Sequence, residues 1–393
     1  METTELYIKK HRFDDVKKLA LAPCPPDVDL AFALSQIAGR QAIKDKIPSW
    51  YETDYIVYPK HLSIEQCSSE ATAKYKASLI QGESLVDLTG GFGVDCAFLA
   101  SRFQSVFYVE CQNELCEIAQ KNFETLGLNH IQVVCADSTA YLDQIEKVDC
   151  IYIDPARRSM SGEKVVTIQD CEPNIISIKE KLMSKADHVM IKLSPMLDIS
   201  LALQSLSETT EIHVVSVNGE CKELLFVLKR CHSERSEESP QIHCVNILKN
   251  GSMQSFSFLK PEEQPCIINY TSEPKNYIYE PNSSIMKAGA YKSVASRYNL
   301  LKLHPDSHLY TSSEYIKSFP GRAFKVVSVF SLNKKEVKEN LHGIEQANIS
   351  IRNFPGTVDE LRKKLRLKDG GDTYLFATTL SNGKHSIILS RKA

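Results

Sequence analysis

No stretch of this chain approaches the roughly 20 consecutive apolar residues that a membrane-crossing helix needs. Its start, Met1-Glu-Thr-Thr-Glu, lacks the basic and apolar regions of a secretion signal. Paired cysteines are missing too. Twelve cysteines stand singly, with no Cys-x-x-Cys pair, which argues against a structural zinc module and points to reduced thiols in a cytoplasmic protein. No metal site is expected. What is present is ordinary for a water-exposed globular chain: 42% apolar and 24% charged residues. At 393 residues the chain is too long for one common core, so two or three domains are expected.

The net charge of −2 hides an asymmetry. Residues 321–393 hold 14 Lys and Arg against 7 Asp and Glu, a balance of +7 that leaves −9 on the rest. A basic terminal module on an acidic body suits a polyanion partner.

Residues 1–80 read as helical, with apolar residues at helical spacing over Val28 to Ile43 (Leu30, Ala31, Leu34, Ile37, Ala38). Ser63-Ile-Glu-Gln66 reads as a capping box opening a helix towards Leu79. From 83 to 230 strands and helices alternate, with strands expected at 84–89, 106–110, 131–135, 149–153, 188–193, 212–217 and 223–229. Such alternation implies a parallel sheet covered by helices on both faces. Only Asn218 to Lys222 separate the last two strands, too few for a crossover helix, so that pair should be antiparallel. Residues 231–240 read as an exposed polar loop, and a hairpin follows around Asn250-Gly251. The last 73 residues alternate as strand 324–330, helix 333–343, strand 347–353, helix 357–367, then strands 373–380 and 384–391. Thr357 and Glu360 make a capping box there, and Gly370 is the expected helix stop.

The chemistry concentrates in residues 84–95, Ser-Leu-Val-Asp-Leu-Thr-Gly-Gly-Phe-Gly-Val-Asp. A strand runs into a turn of Gly90, Gly91 and Gly93, then into a helix. The glycines let the backbone approach a ligand, and the helix start offers unpaired N–H groups. Asp87 before the turn would repel a pyrophosphate but suits an ammonium. The pair of features points to an amino-acid nucleotide, of which S-adenosylmethionine is the obvious one. Glu110 ends the second strand, 17 residues after Gly93, where an acid accepts from ribose hydroxyls. Asp137 with Ser138 follows the third strand, and Asp154-Pro155-Ala156-Arg157-Arg158 the fourth.

Asp87 to Gly93, Glu110, Asp137 and Asp154-Pro155 resemble, in order, the motifs of class I S-adenosylmethionine-dependent methyltransferases. The resemblance covers about residues 65–230. It implies that Asp87, Thr89, Gly90, Gly91 and Gly93 hold the methionine part, Glu110 the ribose, and Asp137 with Ser138 the adenine. The Asp-Pro-Ala-Arg-Arg run, the stretch Glu65 to Glu70 and the basic C-terminal module resemble a bacterial group with a THUMP-like domain, which implies structured RNA, tRNA or rRNA, as partner. The expected organisation is an N-terminal helical region (1–80), a Rossmann-like seven-stranded methyltransferase sheet (81–232), a loop and hairpin (233–275), a small ferredoxin-like or linker unit (276–320) and a basic α+β THUMP-like domain (321–393).

The acceptor expected first is a base nitrogen of tRNA or rRNA, because the Asp-Pro pair and the basic module favour a base target; ribose and the other acceptors stand behind it. Asp154 and Pro155 suit an exocyclic or ring nitrogen of an RNA base, with Arg157 or Arg158 on phosphate or stacked on a base. However, Ala156 and Arg157 stand where nitrogen-directed enzymes have a second proline and an aromatic. No Pro-Cys or Thr-Cys-Thr pair stands in these loops, which disfavours carbon-5 methylation through a cysteine adduct. Lys192, with Lys74 or Lys76, Asp154, and Glu220 or Glu223, resembles the Lys-Asp-Lys-Glu set of ribose 2′-O-methyltransferases. A non-catalytic RNA-binding protein on this scaffold and a small-molecule methyltransferase are the remaining alternatives.

Overall fold

The computed structural model describes residues 2–157, 168–230 and 239–393. Arg158, the side chain of Arg157 and most of the stretch 231–240 read as a loop lie outside the described residues. The chain forms two compact units: the first runs to Glu211 and resumes at Glu223, and the second takes Ile212–Lys222 and runs on to Ala393.

The first unit opens with α1 (Glu2–His11), α2 (Val16–Leu19), α3 (Leu30–Ile43), α4 (Pro48–Glu52), α5 (His61–Gln66) and α6 (Glu70–Leu79). Tyr7, Leu19, Ala33 and Ile37 form a small apolar core among the first three. The helix expected from Ser63 to Leu79 is two helices, broken at Cys67–Ser69. Ser63 lies inside α5, and the cap belongs to Ser69, whose hydroxyl accepts from the Thr72 N–H at 3.2 Å. The break places Ser68 in the site described below. Trp50 meets the Phe92 ring edge-on at 5.0 Å, so α4 packs on the glycine turn.

The strands that follow are β1 (Ser84–Asp87), β2 (Ser105–Glu110), β3 (Ile131–Cys135), β4 (Val148–Ile153), β5 (Ala186–Leu193), β6 (Thr209–Val217), which runs into the second unit, and β7 (Glu220–Lys229). Between them lie α7 (Val94–Ala100), α8 (Asn113–Thr125), α9 (Ser138–Gln144), α10 (Ile175–Lys185) and α11 (Ile199–Ser205). Within the first unit the spatial order is β7-β5-β4-β1-β2-β3. β1 to β5 pair parallel, and β7 is antiparallel to β5. Asn218 and Gly219 take φ of 52° and 83°, the two left-handed positions of a tight hairpin, so β7 must turn back on β6. Parallel pairing delivers the ends of β1 to β4 to one edge, which carries Asp87, Glu110 and, one residue past β4, Asp154. The core beneath that edge includes Leu85, Val106, Tyr108, Phe123, Cys150, Tyr152 and Met190.

In the second unit, β8 (Gln241–Ile247) and β9 (Met253–Leu259) form the expected hairpin, followed by α12 (Lys260–Glu263). The stretch expected to be a ferredoxin-like or linker unit contains β10 (Tyr277–Pro281), α13 (Ser283–Ala288), α14 (Tyr291–Arg297), β11 (Leu301–Lys302) and β12 (Tyr310–Ser312). Then come β13 (Gly321–Phe330), α15 (Lys334–Asn340), β14 (Asn348–Arg352), α16 (Val358–Leu365), β15 (Thr373–Thr379) and β16 (His385–Lys392). One seven-stranded sheet runs through all of these strands from β10 onward, in the order β11-β12-β10-β13-β16-β15-β14. α16 carries the Thr357–Glu360 capping box, but it ends at Arg366 with φ 58°, before Gly370. The backbone closes there because the Arg366 N–H bonds the carbonyls of Arg362 and Lys363. Among the described residues no helix is long and apolar enough to cross a membrane.

The break before α6 is testable. Ser69→Ala removes the cap and should lower the unfolding free energy by about 1 kcal/mol. A urea titration giving an unchanged midpoint would mean that α6 does not depend on that hydroxyl.

Candidate active site

The glycine turn is held from below by β2. Gly91 and Gly93 take φ of 54° and 84°, and Gly93 starts α7. At Gly90 the restriction is space: a Cβ would sit 2.1 Å from the Tyr108 ring. The Tyr108 hydroxyl donates to the Gly91 carbonyl at 2.5 Å, and the Gly91 N–H donates to Glu110 Oε2 at 3.0 Å. Glu110 Oε1 accepts from the Gln112 N–H at 2.9 Å and from the Cys111 thiol at 3.3 Å. Glu110 is thus fixed against the turn, and both its oxygens are oriented. Asp137 stands two residues beyond Cys135, the register partner of Glu110. Its Oδ1 caps α9, accepting from the Thr139 and Ala140 N–H groups at 2.9 and 3.0 Å, and Ser138 is the first residue of that helix.

Asp87 is the least comfortable group here. Its side chain is 1% exposed; Oδ1 accepts from the Thr89 N–H at 3.0 Å, while Oδ2 is buried without a hydrogen-bond partner. Burial pushes its pKa well above the ordinary carboxylate range; the Thr89 N–H opposes this, and Asp95, Asp154 and Glu110 add repulsion. A buried carboxyl with one orphan oxygen among acids favours an incoming cation.

Beside it lies a buried charge cluster. Lys76 on α6 is 0% exposed, and its Nζ donates to both Glu223 oxygens (3.0 and 2.8 Å) and to Ser68 Oγ (3.0 Å). Asp95 Oδ1 lies 3.1 Å from the same Nζ, an ion-pair contact off hydrogen-bond alignment. Asp95 Oδ2 accepts from the hydroxyls of Ser68 and Tyr152, each at 2.7 Å. Burial opposes ionisation of Asp95, but Lys76, Lys192 and the two hydroxyls outweigh it and hold its pKa low. At the solvent side Lys192 pairs with Asp154 Oδ2, and the Asp154 N–H donates to Thr89 Oγ1 at 2.6 Å. Lys192 is 13% exposed. Burial alone would lower its pKa, yet Asp154, Asp95 and Glu223 together raise it, so Lys192 stays a cation.

The structure therefore brings together Asp87, Thr89, the glycine turn, Glu110, Asp154 and Lys192. It places Asp137 and Ser138 one strand further along and buries Pro155. Of the paired choices in the lysine set it selects Lys76 and Glu223. Lys74 lies on the exposed face of α6 with Glu70 at 2.6 Å, and Glu220 pairs with Lys222 at 2.7 Å. Helical spacing carried a signal, because Lys76 falls on the buried face with Thr72 and Ala73. Sequence reasoning missed Ser68, Asp95 and Tyr152 as partners. Asp95 was readable as an acid in the first turn of α7, but nothing local names its lysine.

This fold, with its glycine turn and strand-end acids, defines an S-adenosylmethionine-dependent methyltransferase of the Rossmann-like class. Residues 43–167 match the family model for protein-L-isoaspartate (D-aspartate) O-methyltransferase, residues 277–320 that for a ferredoxin-like domain, and residues 321–392 that for a THUMP domain-like module. A protein from Porphyromonas gingivalis W83, solved as a candidate methyltransferase, is 35% identical, with 99% of this chain and 97% of that chain covered and a TM-score of 0.89. The chain belongs to this family of methyltransferases with C-terminal ferredoxin-like and THUMP-like domains. It is also 29% identical over 111 residues to the 23S rRNA (uracil(747)-C(5))-methyltransferase RlmC of Shewanella pealeana, covering 27% of this chain and only 29% of that enzyme.

The raised pKa of Asp87 makes a stability prediction. Above the ordinary carboxylate range the folded state holds this proton more tightly than the unfolded state does. Asp87 therefore costs stability progressively as pH rises towards its folded pKa. Asp87→Asn should melt at a higher temperature relative to the parent at about pH 8 than at about pH 5. A pH-independent difference between the two melting curves would show that Asp87 is ionised throughout.

Proposed function

We propose that this chain transfers the methyl group of S-adenosylmethionine to a ribose hydroxyl of RNA. The observation that carries the choice of acceptor is the Lys192–Asp154 ion pair at the end of β4, backed by Lys76 and Glu223. A target amine would need the Asp154 carboxylate to accept its proton, but Asp154 Oδ2 already accepts from Lys192. A hydroxyl fits better: an adjacent ammonium stabilises negative charge developing on its oxygen.

The residues present fit the donor. The orphan oxygen of Asp87 is matched to an ammonium, the Gly90–Gly93 backbone to close approach, and Glu110 to a ribose diol. Asp137 and Ser138 would face the adenine, with the second carboxylate oxygen of Asp137 left for an amino group. When bound, S-adenosylmethionine supplies a methyl group on a positively charged sulfur, a good leaving centre. The protein's part is alignment and charge. Lys192 remains cationic, so it does not serve as the base; it lowers the pKa of the hydroxyl it faces. The hydroxyl oxygen gains the methyl carbon and gives up its proton to solvent, while Lys192, held by Asp154, stabilises the negative charge that develops on that oxygen.

RNA as substrate is supported by the THUMP-like match, the +7 balance of residues 321–393 and the partial likeness to an rRNA methyltransferase. The deciding experiment compares modified nucleosides by mass spectrometry in cells with and without the protein. Loss of a 2′-O-methylated nucleoside is the expected result. Loss of a base-nitrogen-methylated one would return Asp154 to the role of amine acceptor and discard the hydroxyl reading. With the purified enzyme and its RNA, Lys192→Ala should lower the methylation rate about 100-fold or more with donor affinity within a factor of about three. A rate close to the parent's would remove Lys192 from the chemistry.

A further inference from the structure

We propose that Arg322 and Arg352, held on the buried carboxylate of Glu280, form a binding site for a phosphate group of the RNA backbone. This rests on the RNA reading above and names where in the second unit the polyanion is gripped. Glu280 near the end of β10 is 3% exposed at its side chain. Arg322 on β13 is its antiparallel register partner and reaches Oε2 through Nε at 2.8 Å and through Nη2. Arg352 ends β14, the edge strand of the same sheet, and its Nη2 reaches Oε1 at 2.7 Å.

A buried carboxylate needs one cation to neutralise it, and here it has two. The triad carries a net positive charge, and both arginine side chains stay partly open to solvent, 56% and 38% exposed. A guanidinium has five N–H donors in a planar fork. Glu280 takes two atoms of Arg322 and one of Arg352, which leaves donors on both. Among the described residues, Glu280 is the acid within ion-pair distance of either arginine. Two guanidiniums already fixed by a rigid acid lose little side-chain freedom when they close on a phosphate, the condition that favours a charge-assisted, bidentate grip.

The surroundings have the same sign. Strand β14 packs through Ile349 and Ile351 against Leu361 and Leu365 of α16. The exposed side of that helix and its cap present Lys363, Lys364, Arg366 and Lys368 to solvent. Arg322 also stands over the Phe324 ring, 5.5 Å from its centroid. A phosphodiester seated between Arg322 and Arg352 would continue along the helix that β14 supports.

The test uses the full-length protein and unfractionated tRNA as probe, with affinity measured across a salt series. Arg322→Lys and Arg352→Lys keep the charge and lose the fork; each should weaken tRNA binding roughly tenfold. The double alanine variant should flatten the log–log salt dependence by about two phosphate contacts. Glu280→Gln keeps both arginine charges but loosens them; it should weaken binding with the slope unchanged. Inorganic phosphate and AMP serve as small-phosphate probes and should bind far more weakly than tRNA. Lysine variants that keep the parent's melting temperature, tRNA affinity and salt slope would overturn the proposal while leaving RNA methylation standing. A parent protein that binds no tRNA would sink both readings. Small phosphates binding as tightly as tRNA would assign the arginines to a free metabolite instead, and also overturn it.

Discussion

The first unit is arranged around a fully buried ammonium. Lys76 has no access to solvent, and its charge is answered by Glu223, by Asp95 and by the Ser68 hydroxyl. Those groups come from the last sheet strand, from the helix after the glycine turn and from the break before α6. Taking such ions out of water costs several kcal/mol each, and their mutual attraction does little more than offset that. An apolar filling of the same volume would be about as stable. What the ions add is position, since each must sit within hydrogen-bond reach of the next or stand as an uncompensated charge. Through Asp95 the cluster reaches Tyr152 on β4, and its field reaches Lys192 on β5. The lysine that faces solvent is therefore set by the lysine that does not.

The cofactor side of the edge follows a different constraint, that of space. Tyr108 rises from β2 under Gly90 and bonds the Gly91 carbonyl, so the turn rests on an aromatic ring. The same strand ends in Glu110, which takes the Gly91 N–H. One strand thus fixes both the height of the turn and the acid beside it. Asp87 is left as the unbalanced group, desolvated on one oxygen, in the place where a cation would complete it. The two halves of the edge meet at Thr89, whose N–H goes to Asp87 and whose hydroxyl takes the N–H of Asp154. Donor and acceptor positions are linked through a single residue.

Much of this was legible in the sequence because it is local. Strand-helix alternation, the glycine spacing, the acid after each strand and the antiparallel end strand all follow from period and turn chemistry over fewer than about 20 residues. The structure has those features where residue patterning puts them. What was not legible is long-range. Resemblance offered Lys76 and Glu223 only beside Lys74 and Glu220; the two are 147 residues apart, and which lysine meets which acid follows from the fold alone. Spacing put the cap at Ser63; the structure uses Ser69, and the break before it leaves Ser68 within hydrogen-bond reach of Asp95. Arg366 in the left-handed region was hidden for a similar reason: tertiary packing of Leu365 and Leu367 imposes a conformation that sequence assigns to glycine.

The charge count of the terminal residues also changes meaning once partners are known. A balance of +7 treats every lysine and arginine as available. Arg362, the first cation of the basic helix, is not: its Nη1 donates to the Ala347 carbonyl at 3.0 Å and its Nη2 to Asp369 at 2.6 Å. It ties α16 to the segment before β14 and is spent on the fold. Arg322 and Arg352 share one acid between them and so keep part of their charge for solvent. Lys363, Lys364, Arg366 and Lys368 keep nearly all of theirs. The field that a polyanion would meet is therefore not spread over the module in proportion to its composition. The open side of α16 and the two arginines over Glu280 are two clusters of available charge within it, and both are anchored to β14, by packing in one case and by Arg352 in the other.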